Sequence, residues 1–325
     1  MTGRNRVIQT LLSETPDRLP RSFAADVAVQ NENWELIDSL SQRYPSDILI
    51  IDGRNGTGYS NQVPESLDLS PENFAHTVEL LCDITSQFTL GIVGLSPWTI
   101  LQGLLAPDST DDYDDLLVRF EESLKPWLES PLDGLCLFDP ISTEQRWDKE
   151  AMLNFTDLMP FYKIFVKRAR EADKYVFFDF GGKVLEAVPT LIKLRADAVA
   201  CVLDTDTAVS LSDFTISFKP FSEAPDGPRL TFWASLPRQT EDAADWFETK
   251  AAAQSVLTEL NQFNKGVIAN GFWHENQKWN SPALALQAWE QGIPLPKPEK
   301  AEESEQPTLG SPQPEQNGQP QTANS

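Results

Sequence analysis

The chain has 325 residues, of which 49 are acidic and 26 basic, giving a formal net charge of −23. That balance opposes phosphate backbones and anionic membrane surfaces, so neither nucleic acid nor a membrane is expected as a partner. Two histidines (His76, His274) and three scattered cysteines (Cys82, Cys136, Cys201) without CxxC spacing cannot build a multi-histidine metal site, and the cysteines read as reduced core residues.

No run is long and apolar enough to span a bilayer, and MTGRNRVIQTLLSE lacks the apolar core of a signal peptide, which predicts a soluble cytoplasmic protein. Arg4 to Leu12 has helical spacing, with Val7, Leu11 and Leu12 on one side, and is ended by the turn residues of SETPDRLPR. Residues 34–43 read as helix. Ile48 to Ile51 form a short buried strand ending at Asp52; the GRNGTG that follows is not a phosphate loop, because no Lys-Ser/Thr follows it and the glycine spacing differs.

Phe74, Val78 and Leu81 lie at helical spacing within residues 71–87, with Ser70 as the expected cap and His76 on the outer side. A strand through FTLGIV leads into GLSPWT and a helix. The acidic loop DSTDDYDD precedes a helix over 116–128, and a strand over 135–138 closes in Asp139. Residues 147–172 read as helix, with Pro160 expected to interrupt it. Tyr175 to Asp206 then reads as strand, helix, strand, with Asp179 closing the first strand and Asp204 and Asp206 the second.

Strands are also predicted over 232–236 and 265–274, and helices over 246–263 and 281–290. Strands apolar on both faces, alternating with helices, point to a parallel α/β protein. At this length one large barrel fits as well as two smaller domains. From Pro294 onward, Pro, Glu, Gln and Ser dominate and a disordered tail is expected, leaving residues 1–293 as the folded body.

Several stretches resemble the uroporphyrinogen decarboxylase and cobalamin-independent methyltransferase superfamily. They are Thr15-Pro16-Asp17-Arg18-Leu19-Pro20 (the family's P-D-R-x-P turn), Ser46-Asp47-Ile48-Leu49 (S-D-I-L), Gly94-Leu95-Ser96-Pro97-Trp98-Thr99 (G-x-x-P-W-T), Asp139 closing an apolar strand, and Asn270 to His274 near the C-terminus (N-x-G-H-G). The resemblance implies a single (β/α)8 TIM-type barrel with its site at the C-terminal ends of the strands. For the family aspartate beneath the substrate pyrrole nitrogens, letter matching selects Asp47 and strand geometry selects Asp52. His274 matches the substrate-binding histidine, displaced by one position, and Arg18, Arg21, Trp98, Asp139 and Asp179 complete the implied substrate contacts. A surface histidine is the plain alternative for His274, pairing with a carboxylate that for Arg18, and an ion pair with Lys183 that for Asp179.

The sequence also departs from the family. Asp179 and Gly181 stand where zinc-dependent methyltransferases carry H-x-C, Gly103 stands where the decarboxylases have a substrate-contacting tyrosine, and only Arg21 remains of the R-Q-A-G-R region. Three readings follow. One is a metal- and cofactor-independent carboxy-lyase acting on a tetrapyrrole or another small carboxylate. Another is a catalytically degenerate barrel that binds a small molecule or a protein. The third is a methyltransferase-like protein without the zinc thiolate site. A divalent ion on oxygen ligands at the acidic strand ends stays open, as does the homodimer that the resemblance suggests.

Overall fold

A computed structural model describes residues 1–14, 16–25, 34–35, 37–39, 41–53, 58–61, 63–94, 96–104, 112–139, 149–180, 187–202, 230–235 and 266–273. In chain order the elements are α1 (Gly3–Leu11), β1 (Arg21–Ala25), β2 (Ile48–Asp52), β3 (Gly58–Ser60), β4 (Val63–Leu67), α2 (Phe74–Asp83), β5 (Phe88–Val93), α3 (Pro97–Leu104), α4 (Tyr113–Glu129), β6 (Gly134–Phe138), α5 (Lys149–Glu171), β7 (Tyr175–Asp179), α6 (Val188–Leu194), β8 (Ala198–Val202), β9 (Thr231–Ser235) and β10 (Val267–Trp273).

The strands form one sheet in the order β1-β10-β9-β8-β7-β6-β5-β2-β3-β4. All but the β3–β4 hairpin run parallel. Eight parallel strands with helices between them make a nearly closed (β/α)8 barrel. Met1–Leu295 is one compact unit and Pro296–Ser325 a second. The second unit lies outside the described residues, as do the helices expected over 246–263 and 281–290.

Alternation along each strand sorts the apolar residues into two layers. Ile48, Ile50, Phe88, Leu90, Ile92, Cys136, Phe177, Ala198, Trp233 and Ile268 fill the barrel lumen, whereas Leu49, Ile51, Leu135, Leu137, Val176, Phe178 and Val199 face the helices. Val7 and Leu11 of α1 join the lumen layer. Backbone bonds run from Arg4 N–H to Ser86 O (3.0 Å) and a side-chain bond from Thr231 Oγ1 to Thr10 O (3.4 Å), so α1 stops the end of the barrel at which the strands begin.

At that end one motif recurs. Asp47, Asp133 and Asp197 each stand one residue before a strand, β2, β6 and β8. Each carboxylate accepts the N–H of the residue on the preceding barrel strand whose C=O its own N–H contacts. Asp47 does so with Arg21 (2.9 and 2.7 Å), Asp133 with Thr89 (3.0 and 3.0 Å) and Asp197 with Val176 (2.7 and 2.9 Å). Their carbonyls accept from the next strand over, from Phe88, Tyr175 and Thr231. Each carboxylate also meets arginine: Asp47 meets Arg6 and Arg18, Asp133 meets Arg4, and Asp197 meets Arg170. Arg6 also pairs with Asp17, whose carboxyl it pulls down to about 2.

The ring is closed between β1 and β2 largely by a side chain. Asn61, in the turn of the β3–β4 hairpin, accepts from Ile50 N (2.9 Å) and donates to Phe23 O (2.8 Å) and Ile48 O (3.0 Å). Its carboxamide mimics a peptide unit where the hairpin enters the seam.

Two local expectations change. Helix α5 continues through Pro160, because one missing backbone bond is outweighed by its buried face of Phe161, Tyr162, Phe165, Val166 and Ala169. Ser70 is not the cap of α2. Asp68 binds Ser70 N and Asn73 Nδ2, winding a turn ahead of the helix, which begins at Phe74.

The buried carboxylates should differ in weight according to what they leave behind. Asp47→Ala removes the carboxylate that Arg18 grips and one of the two that hold the Arg6 guanidinium, only 8% exposed, and should cost about 3–5 kcal/mol. Asp133→Ala releases an Arg4 that is 56% exposed and should cost roughly 1–2 kcal/mol. Urea denaturation of both variants measures the order, and equal losses would contradict it.

Candidate active site at the barrel mouth

Strands β2 and β7 carry Asp52 and Asp179 as their last residues. Ile48 and Ile50 precede Asp52 at two-residue steps, and Tyr175 and Phe177 precede Asp179; all four belong to the lumen layer. Period-two alternation therefore turns both carboxylates into the lumen at the mouth. Each is half-buried, at the point where a fully buried strand gives way to solvent. Asp52 sits in register with Ile92 on one side and Tyr59 of the hairpin on the other, and Asp179 with Phe138. The half-buried Phe138 packs against the lumen layer and supplies an apolar wall.

Asp139, one residue past β6, falls on the opposite face and is fully buried. Its Oδ1 accepts from Ser96 Oγ (2.5 Å) and Trp98 N (2.9 Å), and its Oδ2 from Tyr162 Oη (2.5 Å). Ser96 in turn accepts from Thr99 N (3.2 Å), as the N-cap of a helix with Pro at its first position. Asp139 thus ties the β5–α3 turn to α5. Burial pushes its carboxyl above the usual range, against the pull of these donors. Burial beside Asp139 raises the Tyr162 phenol well above its ordinary value. Trp98 packs in the layer between barrel and helices. The GLSPWT stretch and the strand-closing aspartate are therefore brought together, as a brace behind the mouth.

The other expected site residues lie elsewhere. Asp47, Arg18 and Arg21 all stand at the strand-start end. Arg18 grips Asp47 through both of its terminal nitrogens (2.7 and 2.9 Å), as its plain alternative anticipated. Arg21 donates from Nε to Pro45 O (2.9 Å) and lies over the Tyr44 ring. The structure thus separates Asp47 from Asp52 by the length of β2. His274, Gly181, Lys183, Asp204 and Asp206 lie outside the described residues. Among the described residues no group of three or more His, Cys, Asp or Glu is arranged to hold a metal ion, and no helix is long and apolar enough to cross a membrane.

Sequence reasoning missed the lumen residue Ser22 and met Asn270 only as the first letter of the N-x-G-H-G match; both are buried, and they bond to each other (2.7 Å). The signal for their pairing is a polar letter inside each of two short apolar runs, on strands 248 positions apart.

The pH dependence of stability tests the brace. With its native carboxyl raised, Asp139 binds its proton more tightly folded than unfolded, so its contribution is full below the ordinary carboxylate value and is lost as pH rises through the native one. Thermal melts of wild type and Asp139→Asn across that range should show the difference narrowing, or turning against wild type, as pH rises. A constant difference would mean that Asp139 stays ionised throughout.

No protein-family model matches the sequence, and no curated protein does. Solved structures do match. A methyltransferase from Methanosarcina mazei is 11% identical with a TM-score of 0.57, over 89% of this chain and 98% of that one. A trimodular GH5_4 subfamily endoglucanase is 13% identical with a TM-score of 0.51, over 87% of this chain and 62% of that one. At such identities the likeness is one of fold alone.

Proposed function

We propose that this barrel belongs with the uroporphyrinogen decarboxylase and methyltransferase superfamily that its sequence resembles. It binds a small nitrogen heterocycle of the tetrapyrrole type at its C-terminal mouth, and Asp52 fills the place of the family aspartate. The observation that carries this reading is the direction of β2. The strand runs from an Asp47 enclosed by two arginines to an Asp52 turned into the lumen at the mouth, the same end at which Asp179 closes β7. A carboxylate at a barrel mouth is placed to accept pyrrole N–H bonds and stabilise a cationic ring, whereas Asp47 lies at the opposite end of the strand.

The chemistry this supports is decarboxylation without a metal. Protonation of a pyrrole ring carbon makes a cation whose charge the Asp52 carboxylate offsets. The electron pair of the breaking carbon–carbon bond flows into the ring, carbon dioxide leaves, the exocyclic carbon takes up a proton, and the ring carbon gives up the proton it gained, restoring the pyrrole. Asp179 presents a second acceptor for ring N–H groups.

Anaerobic incubation with uroporphyrinogen, following carboxylate loss by mass, tests the reading. Asp52→Asn should lower turnover by roughly 100-fold or more, whereas Asp47→Asn should act mainly on stability. Tetrapyrrole binding without turnover would favour a binding barrel over an enzyme, and neither binding nor turnover would remove the tetrapyrrole reading.

A further inference from the structure

Around the barrel, neighbouring strands from β1–β10 through to β5–β2 are joined by ladders, paired residue by residue. The remaining junction, between β1 and β2, is bridged by side chains among the described residues. At the starting end Asp47 holds both main-chain groups of Arg21, its carboxylate taking the N–H (2.9 Å) and its own N–H meeting the C=O (2.7 Å). One step up, Ser46 Oγ accepts from Phe23 N (3.3 Å) and Ile48 N (3.2 Å) and donates to Ile48 O (2.7 Å). The Asn61 carboxamide comes next, spanning Phe23 O, Ile48 O and Ile50 N. Beyond it β3 takes over the edge of β2, with Ser60 against Ile51 and Tyr59 against Asp52.

What lies between the two strands thus grows toward the mouth, from a backbone bond to a hydroxyl, to a carboxamide, to a strand. β1 and β2 diverge, closed at the starting end and wedged apart at the mouth. The two ends also differ in how they release. A ladder parts when many main-chain bonds break together, whereas a side-chain bridge lets go by a change of rotamer, and water can take over the groups it leaves. Asp47 is held by Arg6 and Arg18 as well, so its end stays shut.

We propose that this seam is where the barrel opens, with the Asp47–Arg21 grip as its hinge and Asn61 as its clasp. When the carboxamide turns away from Phe23 and Ile50, the mouth end of β2 and the hairpin paired to it move off β1. Asp52, the last residue of β2, moves with them, so the mouth widens on that side. The device is a property of the wall and holds whatever molecule the mouth takes.

Amide hydrogen exchange of the full chain, followed residue by residue by NMR at several low urea concentrations, tests it. In wild type the Phe23 and Ile50 amides should exchange about tenfold or more faster than those of β6 and β7, with little dependence on urea, as a local opening does. The Arg21 amide at the hinge should stay slow. So should those of Ser22 and Ala24, which alternation turns to the β10 ladder. Asn61→Ala should speed Phe23, whose N–H is held by Ser46, by about a further tenfold while β6 and β7 follow only the change in global stability. One common factor for all amides in Asn61→Ala would make Asn61 a packing residue and overturn the proposal. Ser22 and Ala24 exchanging together with Phe23 would mean that β1 frays as a whole, which also overturns it. If Asn61→Ala does not fold, wild type decides alone: Phe23 and Ile50 as slow as β6 and β7, with the same urea dependence, would leave no seam that opens.

Discussion

A carboxylate set one residue ahead of three alternate strands is the constraint on which the rest of this barrel depends. Parallel strands leave main-chain groups at their starting end without a ladder partner. Asp47, Asp133 and Asp197 answer that need by joining a backbone bond and a side-chain bond to the same neighbouring residue. Because an aspartate side chain is short, this two-point grip fixes the stagger between strands, and with it which residues face the lumen. The matching arginines come from α1, from the segment before β1 and from α5, so the carboxylates also dock the plug and an outer helix. The fourth such position, before β10, is Gly266, with φ 78° and no carboxylate.

This arrangement commits the starting end of the barrel to structure. The arginines that a reader of the sequence would assign to substrate are mostly consumed at the starting end, with Arg4, Arg6 and Arg18 all paired to aspartate there. At the mouth, Asp139 and Tyr162 use a buried polar contact to hold the β5–α3 turn, while Asp52 and Asp179 remain at the lumen surface. Two aspartates that both close strands thus differ in duty through one step of alternation: Asp179 follows Phe177 into the lumen, and Asp139 follows Leu137 toward the helices.

Much of the fold was legible. The apolar runs at β2, β5, β6, β7, β8, β9 and β10 announce buried parallel strands, and the helical spacings of α1, α2 and α4 stand close to their observed bounds. β1 was not legible, since RSFAA is short and mixed in polarity, and its place depends on β10 at the far end of the chain. The β3–β4 hairpin was hidden by the glycines before it. For the site, letter matching pointed to Asp47 and strand geometry to Asp52, and the structure sets the two at opposite ends of β2, a difference that direction along a strand carries and a motif of four letters does not. Trp98 and Asp139 were recognised as a pair of motifs, but their mutual hydrogen bond depends on tertiary proximity that spacing does not encode.

The seam at Asn61 bears on how the chain reaches this state during synthesis. β1 is made early, yet its ladder partner β10 spans residues 267 to 273, so the ring cannot close until the last described strand has left the ribosome. Until then, among the described residues, the starting end of β2 and the Asn61 carboxamide hold β1, and Val7 and Leu11 of the plug lack part of the lumen they fill. The Asn61 amide thus joins the residues ahead of β2 in placing the first strand, to which the last pairs across a very long sequence separation.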